Sequence, residues 1–135
     1  MHPKINMIMS FDENEIENIF ENEKRMIFKQ KVYHNFLNKI FIYSKDSREI
    51  KGYFKCNEII KNTPENMWNT FYEKSILTEE KFFKNFENKK EVYGIKINNL
   101  TKLDYPIEIS RDIESEFYYI HPNDKNFNYL LNFIK

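Results

Sequence analysis

Hydrophobic and polar residues alternate along much of the chain with the period of two that is typical of β-strands. This pattern predicts strands at residues 5–11, 24–32, 39–43, 50–60, 91–98, 100–109 and 117–120. Runs 39–43 and 50–60 are joined by a short polar segment, which predicts an antiparallel hairpin that could place Gly52 at a bulge. Pro106 favours an edge or a bend in its strand.

Apolar residues spaced three and four apart predict short helices between the strands. Ile16, Ile19 and Phe20 form such a stripe in residues 12–22, where Asp12 can cap the first turn. Thr63-Pro64-Glu65 and Thr78-Glu79 have the composition of helix starts, and Asp124 precedes a last helical segment. The fold class that we predict is α+β: a small, mostly antiparallel β-barrel with flanking short helices.

Size and composition agree with one folded unit. The 135 residues have the length of one domain, and no linker-like segment divides them, so we assign residues 1–135 to a single domain. Hydrophobic residues make up 41% of the chain and aromatic residues 17%, enough for a core despite the many charges.

Several classes of site are not supported by the sequence. The single cysteine, Cys56, permits no internal disulfide and is interpreted as a buried thiol. The histidines, His2, His34 and His121, are widely spaced, so we predict no metal site and no cofactor. No apolar run is long enough to span a membrane and no signal peptide is recognisable, so we expect no membrane partner and a cytoplasmic location.

Charge is unevenly distributed although the formal net charge is +0. Residues 11–23 contain six acidic residues and no basic ones, whereas residues 24–55 contain nine basic and two acidic residues. Aromatic residues are interleaved in the basic stretch at Phe28, Tyr33, Phe36, Tyr43 and Tyr53. Basic and aromatic side chains together favour single-stranded nucleic acid. A solvated outer face of a small barrel explains the same charges.

Ordered motifs give a family resemblance that covers nearly the whole chain. The segment 22–29 follows a strand and a helix, and it is similar to the G-x-K-x-x-E-x-R signature of the ASCH domain, a member of the PUA-like superfamily. Further segments resemble later motifs of that family in the same order: 39–44 with 50–54, 64–68, 80–86, 93–97, 105–107 and 117–120.

This resemblance implies a β-barrel with a cleft and a role in RNA binding or in regulating transcription or translation. A few relatives in the ASCH family are enzymes. One branch hydrolyses an acetylated cytidine with a lysine, a threonine three positions later and a distant glutamate, and other members have been proposed to cut RNA. Here Lys24 matches the signature lysine, but Ile27 stands at the threonine or glutamate position and Lys29 at the arginine position. Asn22 replaces the glycine, and the relatives' Ser-x-Lys-Pro reads Ser10-Phe11-Asp12-Glu13. Ile27 cannot orient a lysine or move a proton, which argues against the amidohydrolase arrangement.

The leading hypothesis is therefore a regulatory module that binds RNA or another single-stranded nucleic acid, with no catalytic residue assigned. Lys24, Arg25, Lys29 and Lys31 would hold phosphate. Tyr43, Ser44 and Lys45 would line the rim beside the hairpin, and Ser10 would hydrogen-bond a base.

Two alternatives remain open. The acidic helix and the missing signature residues suit a protein-binding regulator or a phage-type inhibitor built on a degenerate ASCH scaffold. A nucleoside amidohydrolase or ribonuclease with a different arrangement of residues is the third hypothesis.

Overall fold

The computed structural model describes residues 5–32, 37–109, 113, 115–121 and 123–133. Four residues considered above, His2, Tyr33, His34 and Phe36, lie outside these ranges. No helix within them has the length and apolar character needed to cross a membrane.

Five strands form the larger sheet, in the order β7-β4-β3-β1-β8. Their bounds are β1 Ile5–Phe11, β3 Leu37–Ser44, β4 Glu49–Lys55, β7 Asn98–Glu108 and β8 Phe117–Ile120. The predicted hairpin is present as β3 and β4, whose register slips between the pairs Ile42–Gly52 and Tyr43–Ile50. The bulge therefore falls beside Gly52. β1 pairs with β3 in parallel, which the prediction of a mostly antiparallel fold did not anticipate.

Three strands form the smaller sheet, in the antiparallel order β2-β6-β5. These strands are β2 Met26–Lys29, β5 Ile59–Asn62 and β6 Val92–Lys96. The predicted single strand at residues 50–60 is wrong, because the chain leaves the larger sheet after Lys55 and enters the smaller one at Ile59. Among the described residues the pairings form two sheets without closing a barrel, so the α+β class is confirmed and the barrel is not.

Local capping sets the starts of the three α-helices, α1 Glu13–Phe20, α2 Pro64–Phe71 and α3 Glu79–Phe86. Asp12 and Glu15 form a reciprocal capping box at α1. The hydroxyls of Thr63 and Thr78 accept hydrogen bonds from the third residue of α2 and α3, as predicted. The segment after Asp124 instead forms a 3-10 helix, Asn128–Phe133, preceded by turns.

Three apolar clusters hold these layers together. One lies between the two sheets and α1, and includes Phe11, Ile19 and Ile27. The second covers the opposite face of the larger sheet with Phe127 and Leu130 from the C-terminal segment. The third packs α2 and α3 on the smaller sheet. Because both faces of the larger sheet are covered, open surface suited to a ligand lies at the junctions between layers.

Candidate functional site

An open cleft of about 670 Å³ lies at the junction of β2, α3 and β8. Its volume is within the range of small-molecule and cofactor sites. Twelve residues line it: Glu15, Phe28, Lys29, Gln30, Lys31, Leu77, Asn85, Phe86, Ser115, Glu116, Phe117 and Tyr119. Two lysines and two glutamates therefore balance in charge, with aromatic side chains between them.

Lys29 is the most confined charge in this cleft. It is the last residue of β2, and only 8% of it is exposed. Its Nζ donates to Glu116 Oε1 at 3.1 Å and lies 5.8 Å and 5.5 Å from the ring centroids of Phe11 and Phe117. Aromatic faces stabilise a cation whose hydration shell is reduced. The structure thus holds an ammonium in a largely dehydrated position beside open space.

The segment before β8 brings Glu116 to this ammonium. Ser10, at the end of β1, fastens it: Ser10 Oγ donates to the Ser115 carbonyl at 3.2 Å, and its backbone N–H donates to the Glu116 carbonyl at 3.0 Å. Ser10 is buried, so its hydroxyl positions the cleft wall and does not reach a base.

Glu15 supplies the second carboxylate. Its Oε1 accepts from the Asp12 backbone N–H at 3.0 Å within the capping box of α1. Burial raises the pKa of Glu15 above its ordinary value, although the Asp12 N–H and the positive charges of Lys29 and Lys45 act in the opposite direction. This carboxyl group is therefore easier to protonate than an exposed one.

Two aromatic rings from β8 form one wall. Phe117 and Tyr119 are two positions apart and project to the same side of the strand. Their ring centroids are 6.5 Å apart and the rings are inclined by 24°. Tyr118, which alternates with these two residues, packs edge-on against Phe127 and donates its hydroxyl to Asp124 at 2.7 Å.

Only Lys29 and Lys31 of the eight predicted nucleic-acid contacts line the cleft. The ammonium of Lys24 donates to the Glu73 carbonyl at 2.7 Å. Arg25 donates from one nitrogen to the carbonyls of Ile19, at 2.7 Å, and Lys24, and so ties the end of α1 to the start of β2. The structure therefore gives both of these side chains bonds to the backbone outside the cleft.

The residues predicted beside the hairpin also lie elsewhere. Tyr43 is 1% exposed within the second apolar cluster, so it does not line a rim. Ser44 is fully buried, and its hydroxyl donates to Glu13. Lys45 is exposed in the hairpin turn and is not among the cleft residues.

The signature comparison missed most of the cleft because its other residues come from distant segments. Glu116 lies 87 positions from Lys29, and nothing local in the sequence pairs them. The aromatic cluster on β8 was the one available signal. Ile27, at the signature's threonine or glutamate position, is fully buried in the first apolar cluster. In the described part of the chain, no group of three His, Cys, Asp or Glu residues could hold a metal ion.

Comparison with family models gives a match over residues 5–121 to DUF365, described as a domain of unknown function. The chain belongs to this family. No curated protein matches it in sequence.

Solved structures show the fold of this DUF365 protein in a second family. The ASCH protein from Zymomonas mobilis superposes with a TM-score of 0.79 at 12% identity, covering 95% of this chain and 94% of that one. A serine-to-alanine variant of it matches with the same TM-score at 13% identity, covering 94% of each chain. A tyrosine-to-phenylalanine variant also gives 0.79, at 11% identity, with 95% and 97% covered. The predicted resemblance to ASCH is thus confirmed at the level of the fold.

Proposed function

We propose that the cleft binds single-stranded nucleic acid, with RNA as the first choice, and that one nucleotide at a time occupies it. The observation that carries the proposal is the position of Lys29, buried between two aromatic rings and open to the cleft on the side of Glu116. A phosphate oxygen is the natural partner for such a cation, because attraction between opposite charges is stronger where water is excluded.

The aromatic wall supports a base in the same cavity. Phe117 and Tyr119 are half-buried, so part of each ring remains available on the cleft side. Aromatic faces stack on any base, and one such contact contributes about 1–3 kcal/mol. Gln30 and Asn85 are exposed at the lining and carry amide groups that can hydrogen-bond a base edge.

The balanced charge limits how the ligand is held. Glu15 and Glu116 offset Lys29 and Lys31, so the cleft does not attract a polyanion through net charge. With about one or two phosphate contacts, the slope of log K against log salt should be only about −0.7 to −1.4. Weak salt dependence separates this mode from binding along a broad basic surface.

No catalytic set is part of the proposal, so the module would regulate by occupying its target. The confirmed ASCH fold is compatible with this role, which rests on the chemistry of the cleft.

Titration of a labelled single-stranded RNA of mixed sequence, followed by fluorescence anisotropy at low salt, tests the proposal. Lys29→Met retains the aliphatic packing against Phe11 and Phe117 but removes the charge, and we expect at least a tenfold loss of affinity. Lys24→Gln is the matched control, since this signature lysine bonds a backbone carbonyl outside the cleft. Equal losses in the two variants, or no binding by the parent protein, would reject the cleft as the RNA site.

A further inference from the structure

A second cavity lies against the other side of α1. This groove has a volume of about 390 Å³ and runs between α1 and the strands β4 and β7. Its lining is distinct from that of the cleft: Glu13, Ile16, Glu17, Phe20, Glu21, Lys51, Lys102, Leu103, Asp104 and Pro106.

An irregularity in β7 builds one wall of the groove. Ile50 pairs with Ile107 and Gly52 with Lys102, so residues 103–106 lie opposite the single residue Lys51. The extra residues form a bulge in this edge strand of the larger sheet. Leu103, Asp104 and Pro106 of this bulge line the groove, and Tyr105 in the same bulge is 89% exposed.

The other wall is a stripe of α1. Glu13, Glu17 and Glu21 follow one another at spacings of four residues, which places them on one side of the helix and its C-terminal end. Phe20 and Leu103 are half-buried and give the groove a small apolar floor, whereas Ile16 beneath them is only 6% exposed. Glu15 projects to the opposite side of α1, where it lines the cleft.

The charges of the groove are mostly acidic and partly uncompensated. Four acids and two lysines line it. Lys102 is 3.3 Å from Glu21, and Lys51 is 3.0 Å from Glu49, so both lysines already have acidic neighbours. Glu17 and Asp104 form no ion pair or side-chain hydrogen bond with the described residues, and both are exposed.

We propose that this groove docks a basic peptide segment of a partner protein. An apolar side chain of the peptide would lie on Phe20 and Leu103, and its lysine or arginine side chains would face Glu17 and Asp104. Tyr105 offers an aromatic surface on which an arginine can stack. Charge complementarity selects this occupant, because the same carboxylates repel a nucleic acid while the apolar floor gives a peptide side chain its contact.

A synthetic peptide with several lysine and arginine residues around one leucine is the probe. Its binding is measured by fluorescence anisotropy and mapped by amide chemical shifts of the labelled protein. We expect the perturbed amides to lie in α1 and residues 102–105. The double variant Glu17→Gln with Asp104→Asn should bind about fivefold more weakly, because two exposed ion pairs with the peptide are lost.

A matched double variant controls for general charge effects. Glu65→Gln with Glu79→Gln removes two exposed acids from α2 and α3, outside the groove, and should leave peptide affinity unchanged. Equal weakening by both double variants would overturn the proposal, as would a lack of binding. A concentration-dependent dimer that the groove variant dissolves would also overturn it, by making a second copy the occupant. RNA binding in the cleft is expected to be the same in all these variants, so the two proposals can fail separately.

Discussion

Removing the carboxylate of Glu116 should strengthen RNA binding, although it breaks an ion pair of the folded protein. Lys29 Nζ and Glu116 Oε1 are 3.1 Å apart, and the two side chains are 9% and 62% exposed. The position of Glu116 at the mouth of the cleft places its carboxylate where a ligand phosphate would meet the same ammonium. A phosphate must therefore displace this carboxylate before it can bind Lys29.

The size of the effect follows from the strength of this pair. With one partner largely exposed, its contribution is about 1 kcal/mol, at the upper end of the range for surface pairs. Glu116→Gln removes that competition, so the Kd for single-stranded RNA should fall about fivefold. The same change should lower the Tm by about 4 °C, because the free protein loses the pair. Opposite signs for affinity and stability are the distinguishing feature of this prediction.

Anisotropy titration and thermal denaturation of one preparation measure both quantities. Glu91→Gln is the matched control, since it breaks the exposed Lys61–Glu91 pair, 3.9 Å long and outside the cleft. RNA affinity that stays constant or weakens in Glu116→Gln would refute the reasoning, because Glu116 would then not compete for Lys29.

Three further predictions address the fold and its titrating groups. Glu15→Gln keeps an acceptor for the Asp12 N–H but removes a carboxyl group whose pKa is raised in the folded protein. The contribution of such a group to stability is complete below its unfolded pKa near 4.5 and is lost as the pH rises through its folded pKa. The variant should therefore have the same Tm as the parent near pH 4 and a higher Tm at pH 7. If the Tm difference between variant and parent were the same at both pH values, burial would not destabilise the Glu15 carboxylate. Gly52→Ala would place Cβ 2.3 Å from the Thr101 carbonyl oxygen, so we expect the free energy of unfolding to fall by about 2 kcal/mol in chemical denaturation. In Gly94→Ala the new Cβ meets only the flexible ends of methionine side chains, so the loss should be smaller. A larger loss in Gly94→Ala than in Gly52→Ala would contradict this, because it would show that β4 and β7 can move apart at Gly52. Burial raises the pKa of the Cys56 thiol to about 11, so it should react with a disulfide reagent at pH 8 only after unfolding; rapid reaction of the native protein would contradict this.

Local chemistry accounts for the elements that the sequence predicted well. Asp12, Thr63 and Thr78 cap the three α-helices because their side-chain oxygens bond nearby N–H groups, and this depends on few neighbours. The split of residues 50–60 could not be predicted in this way. Long-range pairing of β5 with β6 decides it, and that pairing leaves little trace in a local pattern of hydrophobic residues.

In the candidate site, too, local sequence predicted some features and long-range packing determined the others. The signature pointed to the stretch around Lys29, but the pattern alone could not distinguish a lysine that faces the cleft from Lys24, which bonds a backbone carbonyl. Alternation in β8 separates Tyr118 from Tyr119 without showing which side faces the cleft. The packing of Phe127 against Tyr118 settles this, and it involves a segment whose position is set by the tertiary fold.

The claim that RNA lies against Lys29 is tested most directly by mapping the bound strand on the parent protein. Amide chemical shifts of the isotope-labelled protein, followed during titration with a short single-stranded RNA, are the measurement. We predict that the largest changes fall at Lys29, Glu116, Phe117 and Tyr119, with little change at Lys24. Largest changes around Lys24 and the hairpin turn, with the cleft unaffected, would contradict the account.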